Sequence, residues 1–216
     1  MPGPGQRIGL LGGSFNPAHR GHLDISREAL RRLRLDRVWW LVSPQNPLKP
    51  KGQTAPLERR LAGARALADD PRIVVTPVEA ALGAVYTADT LAALAARFPR
   101  VRFVWLMGAD NLIQIAAWKD WQEIFNTLPV AVFDRPSYSL EALAAKAARR
   151  FARHRRPESW ARHLAGERPP AWVFIHQRLN PQSSTGIRAA ARTRGRPPRD
   201  RAPGRRRTIG NGENTP

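Results

Sequence analysis

Residues 7–22 read RIGLLGGSFNPAHRGH. Arg7 to Leu11 is a short apolar run that ends in two glycines, which predicts a buried strand entering a glycine turn. From Gly21 to Leu33, apolar residues recur near helical spacing with arginines between them, which indicates an amphipathic helix. The segment therefore predicts a strand, a tight turn and the start of a helix.

Strand and helix patterns alternate along the rest of the chain. Residues 43–55 hold three prolines and no periodicity and are predicted to be a loop, and Thr87 is the expected N-cap of the helix that it begins. Apolar strands without a polar face indicate a parallel sheet covered on both sides. We therefore predict an α/β fold with one doubly wound, mostly parallel sheet, which binds ligands outside the carboxyl ends of its strands. The further predicted strands are 38–42, 73–76, 102–106, 130–133 and 171–175, and the further predicted helices are 57–68, 87–98, 111–125, 140–154 and 183–192.

The length of 216 residues suits a single domain, which we place at 7–192. It lies between a flexible N-terminus, 1–6, and a basic tail, 193–216, whose Pro, Gly and Arg content predicts disorder. The chain has no cysteine, which excludes disulfides, thiolate catalysis and cysteine-ligated zinc. Apolar runs fall short of the ~20 residues that a membrane span requires, and no secretory signal pattern is present. We therefore expect a cytoplasmic protein that does not bind membranes.

The net charge of +19 indicates an anionic partner such as nucleic acid, a membrane surface or a phosphorylated small molecule. Much of the excess is concentrated in two segments. Residues 192–216 carry eight arginines against two acidic residues, and residues 146–168 carry eight Lys or Arg against two acidic residues. Neither segment shows an obvious basic surface with interspersed aromatic residues that would recognise nucleic-acid bases. Specific nucleic-acid binding is therefore not expected.

His19 and His22 lie at the start of the first predicted helix. Residues three apart share one side of a helical turn. Two imidazoles at that position, together with the exposed amides and the dipole of the helix, can stabilise charge on a phosphate. Taken alone, the His-x-Gly-His pattern is equally compatible with a pair of capping or surface histidines.

A second segment of similar chemistry follows the last predicted strand. Ser183 can cap the helix. Ser184 and Thr185 bring hydroxyl groups to its first turn, and Arg188 brings a guanidinium group with several donors. Such a helix start can hold another phosphate group. By itself, the segment is more typical of a plain N-cap followed by a solvated arginine.

The two segments together resemble a known superfamily. Gly-Gly-Ser-Phe-Asn-Pro-x-His-x-Gly-His at 12–22 and Ser-Ser-Thr-x-Ile-Arg at 183–188 resemble the two signatures of the His-x-Gly-His nucleotidyltransferases. The resemblance implies a Rossmann-like nucleotidyltransferase fold and nucleotidyl transfer at an α-phosphorus. It also implies catalytic roles for His19, His22 and Arg188, and ATP binding by these three residues together with Gly12, Gly13, Ser14, Phe15, Ser184 and Thr185. Gln182 departs from the pattern, since the family usually has an apolar residue there.

Four further stretches, 39–49, 86–91, 105–112 and 118–121, resemble bacterial nicotinate-nucleotide adenylyltransferases in the order of that family. The resemblance implies that the adenylyl group of ATP is transferred to nicotinate mononucleotide in NAD biosynthesis. It implies Mg2+ carried by the ATP phosphates and no metal ligands from the protein. The implied acceptor-binding residues are Lys49, Tyr86, Thr87, Thr90, Asp110, Trp118 and Arg135.

The acceptor residues have specific expected roles. Trp118 and Trp121 are three apart, so on one helix they would point to the same side, and Trp118 is expected to stack on the nicotinate ring. Backbone amides near Tyr86, Thr87 and Thr90 are candidates to hold the nicotinate carboxylate. Each of these residues also has a purely structural interpretation. Paired tryptophans are most often packing residues. The remaining candidates, Lys49, Asp110 and Arg135, are equally suited to surface or capping positions.

Other functions stay open on the sequence alone. One alternative is another adenylyltransferase of this superfamily, whose acceptor is pantetheine phosphate or nicotinamide mononucleotide. A basic nucleic-acid-binding protein is the alternative from a different class, but it would leave both phosphate motifs without a role. A homo-oligomer is compatible with the sequence.

Overall fold

Seven strands form one sheet in the computed structural model, which describes residues 2–44, 54–135 and 138–176. Every strand pairing in these ranges is parallel, and the order across the sheet is β3-β2-β1-β4-β5-β7-β6. The predicted doubly wound parallel sheet is confirmed. The strands are β1 (Arg7–Gly13), β2 (Arg37–Val42), β3 (Ile73–Thr76), β4 (Arg102–Gly108), β5 (Val130–Phe133), β6 (Arg155–Arg156) and β7 (Trp172–Ile175).

The strand order reverses between β1 and β4. From β1 the chain moves outward to β2 and β3, and it then returns to the other side of β1 as β4. At such a reversal the connections from neighbouring strands run in opposite directions and leave a crevice at the carboxyl ends of the strands. The segments that follow β1 and β4 therefore border the expected ligand site.

Helices connect the strands and cover both faces of the sheet. In α1 the inward side is apolar, with Leu23, Ala29 and Leu30 buried, whereas Arg27 and Arg31 are exposed. Short 3-10 segments lie at Ile115–Ala117, Ala152–His154 and Glu158–Gly166. The α-helices are α1 (Arg20–Arg32), α2 (Leu57–Leu67), α3 (Val78–Leu82), α4 (Thr87–Arg97), α5 (Ala109–Gln114), α6 (Trp121–Thr127), α7 (Ser139–Ala144) and α8 (Lys146–Arg150). None of the helices in the described ranges is long and apolar enough to span a bilayer.

The sheet separates two apolar cores. Strand β4 shows this arrangement best, because alternate side chains of a strand point to opposite faces. Trp105 and Met107 belong to one core, with residues of α4 to α8, whereas Val104 and Leu106 belong to the other, with residues of α1, α2 and the Glu158–Gly166 segment. Because both faces are covered, ligand access is limited to the edge where the strands end.

Three details of the predicted elements were wrong. Thr87 is not the N-cap of α4, since the extended residue before it, Tyr86, takes that position. The predicted helix 111–125 is interrupted at Trp118, where the backbone is extended. The predicted helix 140–154 is divided at Ala145, which is also extended. In the last two cases tertiary packing prevails over a helical sequence pattern.

Three elements were not predicted at all. Helix α3 is only five residues long, and the segment Glu158–Gly166 forms 3-10 turns, so neither offers a long periodic pattern. Strand β6 consists of two exposed arginines at the edge of the sheet and has no apolar signal. The segment predicted to be a flexible N-terminus contacts the rest of the domain. The backbone N–H of Gly5 donates a hydrogen bond of 2.7 Å to the carbonyl of Arg100.

Candidate active site

The loop that leaves β1 is tightly packed. Gly12 has no space for a side chain, since a Cβ there would overlap the indole of Trp105 on β4. Phe15 has a left-handed backbone with φ of 46°, which costs a residue other than glycine about 1–3 kcal/mol. Its buried ring stacks on Trp40 and lies 4.5 Å from the ring of His22, centroid to centroid. Aromatic packing therefore stabilises a loop shape that the backbone alone disfavours.

His19 and His22 lie side by side at the start of α1, with ring centroids 4.0 Å apart. His19 is the N-cap residue, and its backbone N–H donates to Nδ1 of His22 at 3.2 Å. Because Nδ1 of His22 accepts this hydrogen bond, the neutral ring carries its proton on Nε2, which remains a donor. Nδ1 of His19 is buried and has no hydrogen-bond partner among the described residues. Both rings thus keep polar atoms for a ligand.

Both imidazoles are neutral near pH 7. Burial lowers the pKa of His19 to about 4, and the positive charge of Arg135 acts in the same direction, whereas Asp24 opposes it. Burial lowers the pKa of His22 to about 3, with further contributions from His19 and Arg135. A bound polyphosphate would raise both values, because an opposite charge favours the protonated form of a base.

Arg135 and Asp110 form an ion pair near these rings. Arg135 follows β5, and its Nε lies 3.2 Å from Oδ1 of Asp110, which follows β4. Within the described ranges this oxygen has no partner with hydrogen-bond geometry, so the contact is an ion pair only. Gly108 makes the approach possible, since a Cβ there would lie 2.7 Å from Nε of Arg135 and would overlap Asp110. The guanidinium also acts electrostatically on His19 and His22, so the four predicted site residues lie together.

Arg60 is a buried residue at this edge that the sequence reasoning missed. Its side chain is 3% exposed, although it belongs to the charged helix α2. The available signal was its position four residues before the buried Ala64, which puts both on the inward side of the helix. The guanidinium donates hydrogen bonds of 2.7–2.8 Å to four backbone carbonyl oxygens, those of Ser14, Ser43, Pro44 and Ala55.

Glu79 is the second buried ionisable residue that was not predicted. It lies in α3 and is 7% exposed. Burial raises the pKa of Glu79 to about 7, and a hydrogen bond with Ser43 opposes that shift in part. Ser43 follows β2, so Glu79 and Arg60 contact the same strand exit from two different helices.

On the acceptor side, the predicted residues Tyr86, Thr87 and Thr90 lie at the start of α4. Thr90 is buried, and both its backbone N–H and its hydroxyl donate to the carbonyl of Tyr86. The amide and hydroxyl of Thr90 are therefore occupied within its own helix, and the acceptor-binding role of this segment stays a prediction. The amides of the first turn, beginning with Thr87, have no intrahelical acceptor and keep that capacity.

The two tryptophans occupy different environments. Trp118 is half-buried and ends the 3-10 segment, whereas Trp121 begins α6 and is 9% exposed. Asp120, with φ of 49°, turns the chain between them, so the prediction that both rings point from one side of one helix is wrong. Trp121 packs in the core beside Phe125, and the half-buried Trp118 packs against the same core, so its ligand-binding role stays a prediction.

Lys119 links the two acceptor segments. Its Nζ lies 4.5 Å from the centroid of the Tyr86 ring, so the start of α4 and the Trp118 segment are neighbours in space. Both α4 and α6 lead back to the amino end of the next strand, and their first residues therefore lie at the carboxyl edge of the sheet. This is the edge at which the histidines lie.

Several predicted site residues fall outside the described ranges. These are Lys49 in the predicted loop and the whole second phosphate segment, which comprises Gln182, Ser183, Ser184, Thr185 and Arg188. The basic tail, 193–216, also lies outside. Over the residues that are described, no group of three or more His, Asp or Glu side chains has the arrangement of a metal site.

Comparisons with known proteins agree with this geometry. The model of a family described as cytidylyltransferase-like matches residues 10–190. A protein of Methylorubrum extorquens named "Probable nicotinate-nucleotide adenylyltransferase" is 58% identical over 182 residues, which cover 84% of this chain and 98% of that protein. A protein of the same name from Cereibacter sphaeroides is 58% identical over 187 residues, which cover 87% of this chain and 99% of that protein.

A solved structure shares the fold. The nicotinic acid mononucleotide adenylyltransferase of Plasmodium falciparum, solved in complexes with APC and with NaAD, superposes with a TM-score of 0.62. The superposition covers 85% of this chain and 83% of that one, at 14% sequence identity. At that identity the likeness supports the architecture of the sheet and its helices.

Proposed function

Since this chain belongs to the cytidylyltransferase-like family, and relatives that it matches over nearly their whole length are named nicotinate-nucleotide adenylyltransferases, we propose that it adenylylates nicotinate mononucleotide. The enzyme is a nucleotidyltransferase of NAD biosynthesis. It uses ATP and nicotinate mononucleotide and forms nicotinate adenine dinucleotide and pyrophosphate.

The observation that best supports this chemistry is the pair of neutral histidines at the start of α1, with Arg135 nearby. In the reaction, a phosphate oxygen of the mononucleotide attacks the α-phosphorus of ATP. The bond from that phosphorus to the oxygen it shares with the β-phosphate breaks, and that oxygen leaves as a terminal oxygen of pyrophosphate. The attacking phosphate is already ionised, so the rate depends on positioning and on charge stabilisation. His19, His22 and the amides of Gly13 to Phe15 stabilise the negative charge that accumulates on the α-phosphate.

The acceptor side holds the mononucleotide. Trp118 stacks on the pyridine ring, and the first-turn amides of α4 at Thr87 accept the ring carboxylate. Arg135 binds the mononucleotide phosphate, with Asp110 holding its guanidinium in place. The ion pair limits the positions that the guanidinium can take, which suits an in-line attack.

Further roles in this proposal are supported by the sequence motifs alone. Ser184, Thr185 and Arg188 hold the leaving β- and γ-phosphates, and Lys49 assists at the acceptor phosphate. Mg2+ bound with ATP would neutralise part of the phosphate charge, and we propose no metal ligand from the protein. The proposal includes a cytoplasmic location, and a homo-oligomer is compatible with all of these roles.

An acceptor panel tests the proposal. Purified protein receives ATP and one of three acceptors, nicotinate mononucleotide, nicotinamide mononucleotide or pantetheine phosphate, and pyrophosphate release is measured. We expect the highest kcat/KM with nicotinate mononucleotide, because the helix-start amides favour a carboxylate over a neutral amide. A higher kcat/KM with either of the other acceptors would contradict the proposed substrate, and absence of pyrophosphate with all three would contradict the enzyme class.

A further inference from the structure

Arg60 is a buried cation without an acidic partner. Its side chain is 3% exposed, and within the described ranges no carboxylate lies at salt-bridge distance from it. Burying a charge in this way is costly unless its donors are satisfied. Here the donors are satisfied by backbone carbonyl oxygens, so the positive charge is retained and not neutralised by an ion pair.

The four carbonyl groups come from three separate segments. Ser14 belongs to the loop after β1, Ser43 and Pro44 follow β2, and Ala55 precedes α2. One planar guanidinium therefore connects the exits of two neighbouring strands at the edge where the histidines lie. A lysine has the charge but lacks the fixed fork of donors that such a connection uses.

The hydrogen bond to Ser14 determines the direction of a peptide group. The Ser14–Phe15 peptide is trans, and in a trans peptide the C=O and N–H point in opposite directions. Since the carbonyl of Ser14 points to Arg60 at 2.8 Å, the N–H of Phe15 points away from it. Phe15 also has the left-handed φ of 46°, so this peptide orientation requires support from its surroundings.

We propose that Arg60 is a positioning residue for polyphosphate binding: it fixes the Ser14–Phe15 peptide with its N–H toward the bound ATP and places a buried positive charge behind it. The inference rests on the proposed function, which puts the α-phosphate of ATP at the amides of Gly13 to Phe15. Arg60 itself does not touch the substrate. It acts through the orientation of one amide and through its charge.

The test compares Arg60→Met and Arg60→Lys with matched changes at Arg59, an exposed arginine of the same helix. We expect Arg60→Met to raise KM for ATP about tenfold and to lower kcat about tenfold, since a misplaced donor weakens both binding and transition-state stabilisation. KM for nicotinate mononucleotide should change less than twofold. Arg60→Lys should fall between Arg60→Met and the wild type, and both Arg59 variants should match the wild type.

Stability is measured beside activity, because a purely structural role would lower the melting temperature without changing KM for ATP. Rates are therefore expressed per folded molecule. If Arg60→Met does not fold, Arg60→Lys decides: KM for ATP raised at least threefold supports the inference, and a wild-type KM for ATP overturns it.

A measurement without an acceptor separates this inference from the proposed function. ATP or inorganic tripolyphosphate should raise the melting temperature of the wild type and of the Arg59 variants, and it should raise that of the Arg60 variants less. If no acceptor reacts but this difference is found, the proposed function fails and the inference stands. If nicotinate mononucleotide reacts but the Arg60 variants show the same ligand-induced shift as the wild type, the inference fails and the function stands.

Discussion

The proposed triphosphate site and the proposed acceptor site are built in different ways. At the proposed triphosphate site, Phe15, His19 and His22 come from one strand-turn-helix unit, and the ring of His22 lies beside those of Phe15 and His19. At the proposed acceptor site, Tyr86 and Trp118 come from separate connections and are related through Lys119. The first arrangement depends on local backbone geometry, and the second depends on how distant helices pack.

This difference determines how each side should respond to mutation. A change within the β1–α1 unit acts on groups proposed to meet the reacting phosphate, so its effect should fall on the rate. A change on the acceptor side either removes a contact to the substrate or disturbs the packing that positions it. Substitutions that separate rate, acceptor affinity and stability can therefore test the contrast.

The largest expected effect is that of His22→Ala on turnover. Loss of one preorganised donor to a developing charge typically lowers kcat by about 10²–10³-fold. His154→Ala is the control, because His154 is exposed and directly precedes β6, so it lies at the amino ends of the strands and not at the carboxyl ends where His22 lies. Steady-state pyrophosphate release and near-UV circular dichroism together check the result. Turnover near the wild-type value in a folded His22→Ala variant would remove His22 from the mechanism.

The next prediction separates the two tryptophans. Trp121→Ala should destabilise the fold by about 3–5 kcal/mol, since it leaves a cavity in the core beside Phe125. Trp118→Ala should instead weaken acceptor binding by about 1–3 kcal/mol, the usual magnitude for a ring stacked on a base. Urea unfolding and KM for nicotinate mononucleotide are the two measurements. The contrast is lost if Trp118→Ala lowers stability as much as Trp121→Ala and leaves KM unchanged.

The smallest effects concern pH and stability. The raised pKa of Glu79, about 7 against an ordinary 4.5, means that its contribution to stability is present below pH 4.5 and is lost as pH rises through 7. Glu79→Gln should therefore raise the melting temperature at pH 8, and the gain should disappear as the pH falls to 4.5. Thermal unfolding across this range measures it, with the exposed Glu141→Gln as a control. A gain that is constant with pH would show that ionisation of Glu79 is not its cause.

The histidines should show the opposite dependence. Their pKa values are lowered from 6.5, so their contribution to stability is present above pH 6.5 and declines as the pH falls toward 4. The slope is at most about 1.4 kcal/mol per pH unit for each proton. His22→Gln should accordingly lose less stability than the wild type between pH 6.5 and 4 in thermal unfolding without ATP. Equal losses in the two proteins would contradict the neutral state of His22.

The sequence predicted the parts that local patterns control. The alternation of apolar strands and helices gave the parallel sheet, and the spacing of His19 and His22 gave their proximity. The spacing of Arg60 and Ala64 could have placed Arg60 on the inward side of α2, but the carbonyl oxygens that make its burial possible come from other segments. Glu79 was missed because its burial depends on a hydrogen bond with Ser43, which no periodicity reveals. The break between Trp118 and Trp121 was missed because Asp120 adopts a left-handed backbone that its residue type does not require.

The contact between Gly12 and Trp105 joins the strand that leads into the histidine segment to the apolar core. Where β1 omits a side chain, the indole from β4 comes close to its backbone, and the same ring belongs to the core. A side chain at position 12 would therefore have to displace a core ring. We expect Gly12→Ala to disturb the packing of the core as well as the end of β1.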